Sequence, residues 1–199
     1  MLSVSLFAED YGHETVVTTL VTRLAREACV EVELHAVSVR GGHGKVEVEL
    51  GEYVHSVQNF SQPLPDIVII ATDANCDEIQ KRRQRLGQIA QPLADRVIYA
   101  IPNPHVERWL LLDAAAFRAV LGAPCQAPDE KCDRGRYKRL LIDAVRDAKR
   151  VPLLGGMEHA VDIMENVRIP KGSPKNEFEQ FACDVRAALR RLARPEDSR

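Results

Sequence analysis

The chain has 199 residues, of which 45% are apolar and 28% charged, with a net charge of −2. That is an ordinary soluble composition, long enough to bury a core as one domain or as one domain with an appended helical part. The charge balance excludes a global basic field for nucleic acid, and no apolar run approaches the roughly 20 residues of a membrane-spanning helix.

Leu2 to Ala8 reads as a first strand, and Glu9-Asp-Tyr-Gly-His-Glu14 follows it. From Glu14 to Ala28 apolar residues recur at helical spacing, and Val30 to Val39 then alternates as a strand with one more exposed face. Strand, helix, strand makes a βαβ unit with a right-handed crossover. Arg40-Gly-Gly-His-Gly-Lys45 is a loop, followed by a segment from Val46 to Val57 that fits a helical face and, at its start, also alternates. Helix is the preferred reading there. Ile67 to Ala71 is a short, β-branched run, the signature of a fully buried parallel strand. Asp77 to Ala90 reads as a charged helix and Arg96 to Ile101 as a fourth strand. Helices are then expected over His105–Leu112, Ala114–Leu121, Arg136–Lys149 and Met157–Val167. A further, final helix has the clearest stripe, with Phe178, Phe181, Ala182, Val185, Leu189 and Leu192 on one face.

Five cysteines, Cys29, Cys76, Cys125, Cys132 and Cys183, are scattered without a C-x-x-C pair, so neither a zinc ribbon nor a thioredoxin-like site is indicated. With no secretory leader pattern, a cytoplasmic protein with reduced, buried or half-buried thiols is expected.

The chemistry concentrates at strand ends. Thr72, Asp73, Asn75 and Asp77 directly follow the central strand, where ligands collect in open α/β sheets. Asp73 or Asn75 there either caps the next helix or, with Asp77, offers oxygens to a hard cation such as Mg²⁺. Glu9 follows strand one, and if the two strands are parallel neighbours its carboxylate meets Asp73 at one edge. Two readings stand for the segment after strand four: Glu107, with His105, reaches a metal or a water, or Trp109 anchors the helix to the sheet while Glu107 pairs with a base. The Arg40–Lys45 loop is either a phosphate cradle or a plain surface turn, and it lacks the P-loop order. Lys81, Arg82, Arg83 and Arg85 read as a solvated helix face. Arg134, Arg136, Lys138 and Arg139, and also Lys171 and Lys175, are further cations for a phosphate.

These residues carry a resemblance. Glu9 after the first strand and Asp73-Ala-Asn75 after a later one resemble the Glu and Asp-x-Asp of the Toprim superfamily. Pro102-Asn-Pro-His-Val-Glu-Arg-Trp-Leu-Leu-Leu-Asp113, Asp133-Arg-Gly-Arg-Tyr-Lys138 and the Phe178 helix are similar to small bacterial Toprim-like proteins related to overcoming-lysogenisation-defect nucleases, which often stand beside ATPases in anti-phage systems. The resemblance implies a Toprim-like (Rossmann-like) α/β fold over residues 1–104, with a mostly parallel four-stranded sheet. Residues 105–199 would then form a helical C-terminal extension. It also implies a Mg²⁺- or Mn²⁺-dependent, nuclease-like phosphodiester hydrolase, with nucleic acid and an ATPase as partners. Glu9, Asp73 and Glu107 would be catalytic, Glu9, Asp73, Asn75 and Asp77 the metal ligands, and Lys45, Arg136 and Lys138 the substrate contacts. Asn75 stands where the pattern has its second aspartate, so Asp77 is the substitute ligand. A degenerate, non-enzymatic module binding a partner ATPase or a nucleotide is the alternative.

Overall fold

The computed structural model describes residues 1–38, 43–60, 63–129, 131–133 and 135–193. The elements run β1 (Leu2–Ala8), α1 (Tyr11–Glu27), β2 (Val32–Ser38), α2 (His43–Phe60), β3 (Ile67–Ala71), α3 (Ile79–Ile89) and β4 (Val97–Ala100). They continue as α4 (Glu107–Leu110), α5 (Ala114–Leu121), α6 (Arg136–Asp147), α7 (Ala160–Asn166) and α8 (Glu177–Ala193). Among the described residues no helix is long and apolar enough to cross a membrane.

The four strands form one sheet in the order β2-β1-β3-β4, and every pair is parallel. The side-chain period of two sorts the apolar residues onto two faces. Val4, Leu6 and Ala8 of β1 join Ile67, Ile69 and Ala71 of β3 in a core shared with α1, α7 and α8. Phe7, Val68 and Ile70 point the other way, against Val46 and Leu50 of α2 and Leu86 of α3. Each strand-to-helix segment must therefore cover a sheet face, which is why β3 is buried along its whole length. Residues 46–57 are helical, as preferred, because Val46, Leu50 and Val54 lie one turn apart and are all buried.

The crossover from β1 goes to β2 on one side, while β3 and β4 lie on the other. The switch point of the sheet thus falls between β1 and β3. Ala8 pairs with Ala71, and Ala71 with Ala100, so the three strands stop level in a row of buried alanines. Small residues there let the three chains turn outward together. Glu9 N–H still donates to Ala71 O at 2.9 Å, and Thr72 N–H to Ala100 O at 3.1 Å.

Residues from both sides of position 104 share the core on the α1 face. Trp109 is fully buried in the core that covers one face of the sheet. It packs edge-on to Phe178, with centroids 5.3 Å apart, and stacks on Phe181 at 5.8 Å, while its indole N–H donates to Glu177 at 3.3 Å. The helix expected from His105 is a single turn, α4. His105 precedes it because its imidazole and the next backbone N–H both turn back to Asp73. Between α6 and α7 the chain turns through Gly155 (φ 67°) and Gly156 (φ 95°), and Glu158 accepts the N–H groups of Leu153, Leu154 and Gly156.

Of the cluster expected to be a solvated face, Lys81 and Arg85 are exposed, whereas Arg82 is not. Arg82 is buried and lies 3.4 Å from Glu47 of α2, Arg85 reaches the same carboxylate at 2.6 Å, and the Arg83 guanidinium sits over the Tyr99 ring.

Candidate functional site

A cavity of about 730 Å³ opens at the carboxyl edge of β1 and β3, lined by Glu9, Asp10, Asp73, Asn75, Cys76, His105, Val106, Glu107, Gly135 and Lys138. Its centre is a chain of alternating charges. Asp10 caps α1: one carboxylate oxygen accepts the His13 backbone N–H at 3.0 Å and the His13 Nδ1–H at 2.8 Å. The other ring nitrogen of His13 donates to Asp73 at 2.9 Å. With a carboxylate on both nitrogens, the buried imidazole holds both protons. Burial opposes that charge, but Asp73 and Asp10 together raise the His13 pKa to about 10. Burial likewise opposes ionisation of Asp10, and the His13 hydrogen bond and charge overcome it, holding the carboxyl at about 2.

Asp73 accepts two further bonds, from Val106 N–H at 2.9 Å and from His105 Nδ1–H at 2.9 Å. Burial pushes its pKa up, but the two histidines hold it below the usual carboxylate range. The same bond to Asp73, against the opposing effect of burial, raises His105 above an ordinary histidine. Its Nε2 is buried and has no hydrogen-bond partner among the described residues. Glu107, only 7% exposed, has its pKa raised by burial and by the Asp73 charge, against the pull of Lys138, whose ammonium is 3.7 Å away. On the far rim Glu9 accepts the Thr72 hydroxyl at 2.5 Å and the Asp73 N–H at 3.1 Å through one oxygen.

Of the residues singled out by sequence, Glu9, Asp73, Asn75, Glu107 and Lys138 meet at this cavity. Asp77, Lys45 and Arg136 are not among its lining residues. Asp77 closes a turn on Ala74 O, Lys45 is exposed in the first turn of α2, and Arg136 is paired with Asp129 at 2.5 Å. Arg40, Gly41 and Gly42 of the glycine loop, and Arg134, lie outside the described residues. Lys171 lines a separate crevice with Arg23, Arg168, Arg186 and Arg190, and Lys175 lines one with Arg83 and Tyr99. His13 and Asp10 are the site residues that sequence reasoning passed over. Their signal is the Asp-x-x-His spacing, which places a histidine three residues after a capping aspartate.

As arranged, the residues do not fit a Mg²⁺ or Mn²⁺ ion at Asp73. Both of its oxygens already accept hydrogen bonds, one of them two, and Asn75 contributes a neutral amide in place of a carboxylate. Among the described residues no group of three His, Cys, Asp or Glu side chains is placed to hold a metal.

One cavity wall is covalently tied to the other. Cys76, at the rim, is disulfide-bonded to Cys132, with Cα atoms 5.6 Å apart. This corrects the expectation of five reduced thiols: 56 residues separate the pair in sequence, and only the fold brings the turn after β3 against the segment before α6. Of the remaining cysteines only Cys125 is buried, while Cys29 and Cys183 are exposed.

The arrangement is that of an α/β protein with an acid–base constellation at the sheet's switch point. No protein-family model, no curated protein and no solved structure matches this chain.

Proposed function

We propose that the chain is a hydrolase acting on phosphodiesters, with its reaction centre between His105, Glu107 and Lys138. The observation that carries this reading is the meeting on one cavity of the buried Glu107 carboxyl, the Lys138 ammonium 3.7 Å from it, and the His105 imidazole fixed by Asp73. Groups whose environments tune them in this way are the usual acids and bases of hydrolysis. The buried Nε2 of His105 has no hydrogen-bond partner among the described residues, which costs about 1–3 kcal/mol, and a polar group of a bound substrate would relieve it.

In the reaction, the Glu107 carboxylate takes a proton from water as the water oxygen bonds to phosphorus. The bond from phosphorus to the leaving oxygen breaks, and that oxygen takes the Nε2 proton of His105. Asp73 holds the imidazole in orientation through Nδ1, and Lys138 offsets the charge building on the non-bridging oxygens. Exchange of one proton with solvent returns both groups to their starting states.

A second reading, the metal-dependent phosphodiesterase that the Toprim resemblance implies, draws on the shared rim position of Glu9, Asp73 and Asn75. It requires His105 to leave Asp73. Two measurements separate the readings. With bis(p-nitrophenyl) phosphate, the wild type should turn over in the presence of a chelator, and Glu107→Gln should lose about 10²-fold or more in rate. Turnover only with added Mn²⁺, together with calorimetric Mn²⁺ binding that Asp73→Ala abolishes, selects the metal reading. A folded protein that cleaves no diester with or without Mn²⁺ overturns both.

A further inference from the structure

A second crevice lies at the other end of α1 from the reaction cavity. The first turn of that helix carries His13 to the cavity, while Arg23 and Glu27, near its end, line the crevice. The volume there is about 640 Å³, and the charged lining is Arg23, Arg168, Lys171, Arg186 and Arg190 against Glu27 alone. Five cations beside one carboxylate is a marked segregation in a chain whose net charge is −2. Like charges gathered in this way repel one another until counter-charge joins them.

Two of the five are fixed in place. Arg23 Nη1 donates to Met164 O at 2.8 Å and to Val167 O at 2.7 Å, and its Nε donates to Glu27 at 3.1 Å. Arg186 Nη1 donates to Pro170 O at 2.8 Å, and its Nη2 reaches Ile169 O and Glu27, each at 3.4 Å. The two side chains are only 16% and 13% exposed, so little freedom remains for them to lose on binding. Glu27 is shared between them and offsets one charge of the two. Arg168, Lys171 and Arg190 are exposed, and their side chains form no ion pair among the described residues.

Four of the five cations are arginines, whose planar forks match the oxygens of phosphate and carboxylate groups. An acidic peptide suits the crevice less well. The carbonyls of Val167, Ile169 and Pro170, which an extended peptide would pair with, are already taken by Arg23 and Arg186. No aromatic side chain is among the lining residues, so there is no platform for stacking bases. What remains to be recognised is phosphate itself.

We propose that this crevice is a binding site for a polyphosphate anion. Arg23 and Arg186 are its fixed donors, and Arg168, Lys171 and Arg190 offset the outer charges of the ligand. A small polyphosphate and the backbone of a nucleic-acid strand present the same chemistry. The site is separate from the reaction cavity and does not rest on the phosphodiester reading.

The test is binding to the full chain at low ionic strength, of inorganic tripolyphosphate by calorimetry and of a labelled single-stranded oligothymidylate by fluorescence anisotropy. Binding should saturate and should weaken as salt is raised. The triple variant Arg168→Gln, Lys171→Gln, Arg190→Gln alters exposed side chains alone, so it should melt like the wild type and bind at least about tenfold more weakly. Lys138→Gln, in the reaction cavity, should bind like the wild type. Tighter binding of tripolyphosphate assigns a small polyphosphate and tighter binding of the oligonucleotide assigns a strand, and either supports the site. Binding of neither ligand would overturn the proposal. So would binding that survives in the triple variant, binding lost in Lys138→Gln, or equal affinity for poly-glutamate, which would mark an acidic-peptide contact instead. Because binding is read without turnover, an absence of hydrolysis leaves the result intact.

Discussion

His13 carries its charge in a place from which water is excluded, and it does so because two carboxylates from different elements converge on it. Removing one partner from a buried charged group leaves the others uncompensated, so His13→Gln should destabilise the fold by about 3–5 kcal/mol, measured by urea denaturation. The pH dependence follows from the direction of the shift. With the folded pKa near 10 against an unfolded 6.5, the contribution of His13 is complete below 6.5 and is lost as pH rises through 10. Asp10 acts in the opposite sense, since its stabilisation is present above 3.8 and lost as pH falls towards 2. The melting temperature of the wild type should therefore fall more steeply between about pH 6 and pH 10 than that of His13→Gln. Parallel slopes would contradict a charged His13. At this scale the sequence was only half legible. Glu9, Asp73 and Glu107 stand out because carboxylates after strands and beside a Trp-Leu-Leu run are conspicuous. His13 sits inside a helical pattern and looks like one more turn of α1. Its role depends on Asp73, 60 residues away, which no local spacing encodes.

Elements obeyed the sequence pattern where apolar burial decides and departed from it where a polar partner intervened. α8 matches its stripe because it buries one face, and β3 matches its continuous apolar run because it is buried along its whole length. α4 stops after one turn because Asp73 captures the imidazole of His105 and the N–H of Val106, and Trp109 is drawn to α8 by two aromatic rings that lie about 70 residues further on in the sequence. α6 ends at Asp147, two residues early, where Lys149 enters the left-handed region with φ 59°. The connection that follows yields a sharp test. A Cβ at Gly156 would lie 2.7 Å from Leu141 Cγ, on a backbone with φ 95°. Gly156→Ala should thus cost about 1–3 kcal/mol from overpacking, with backbone strain added. Gly44→Ala, in the first turn of α2 with nothing within 4 Å, should be neutral or slightly stabilising. Equal denaturation midpoints for the two variants would refute this account of the α6–α7 turn.

For the molecule as a whole, the order of elements made an α/β fold with a parallel sheet readable, because each strand is followed by a segment of helical period. Strand order was not readable, since β1 lies between β2 and β3 through choices of crossover direction that leave no mark on composition. The link between Cys76 and Cys132 was hidden for the same reason. It also reaches beyond the cavity. Residues 76 and 132 close a covalent ring that contains α3, β4, α4 and α5. An unfolded chain with that ring cannot explore the conformations open to a linear one. For a loop of this length the restriction stabilises the native state by on the order of 4 kcal/mol, so reduction should lower the unfolding free energy measured in urea by that amount, to the same degree as Cys132→Ser.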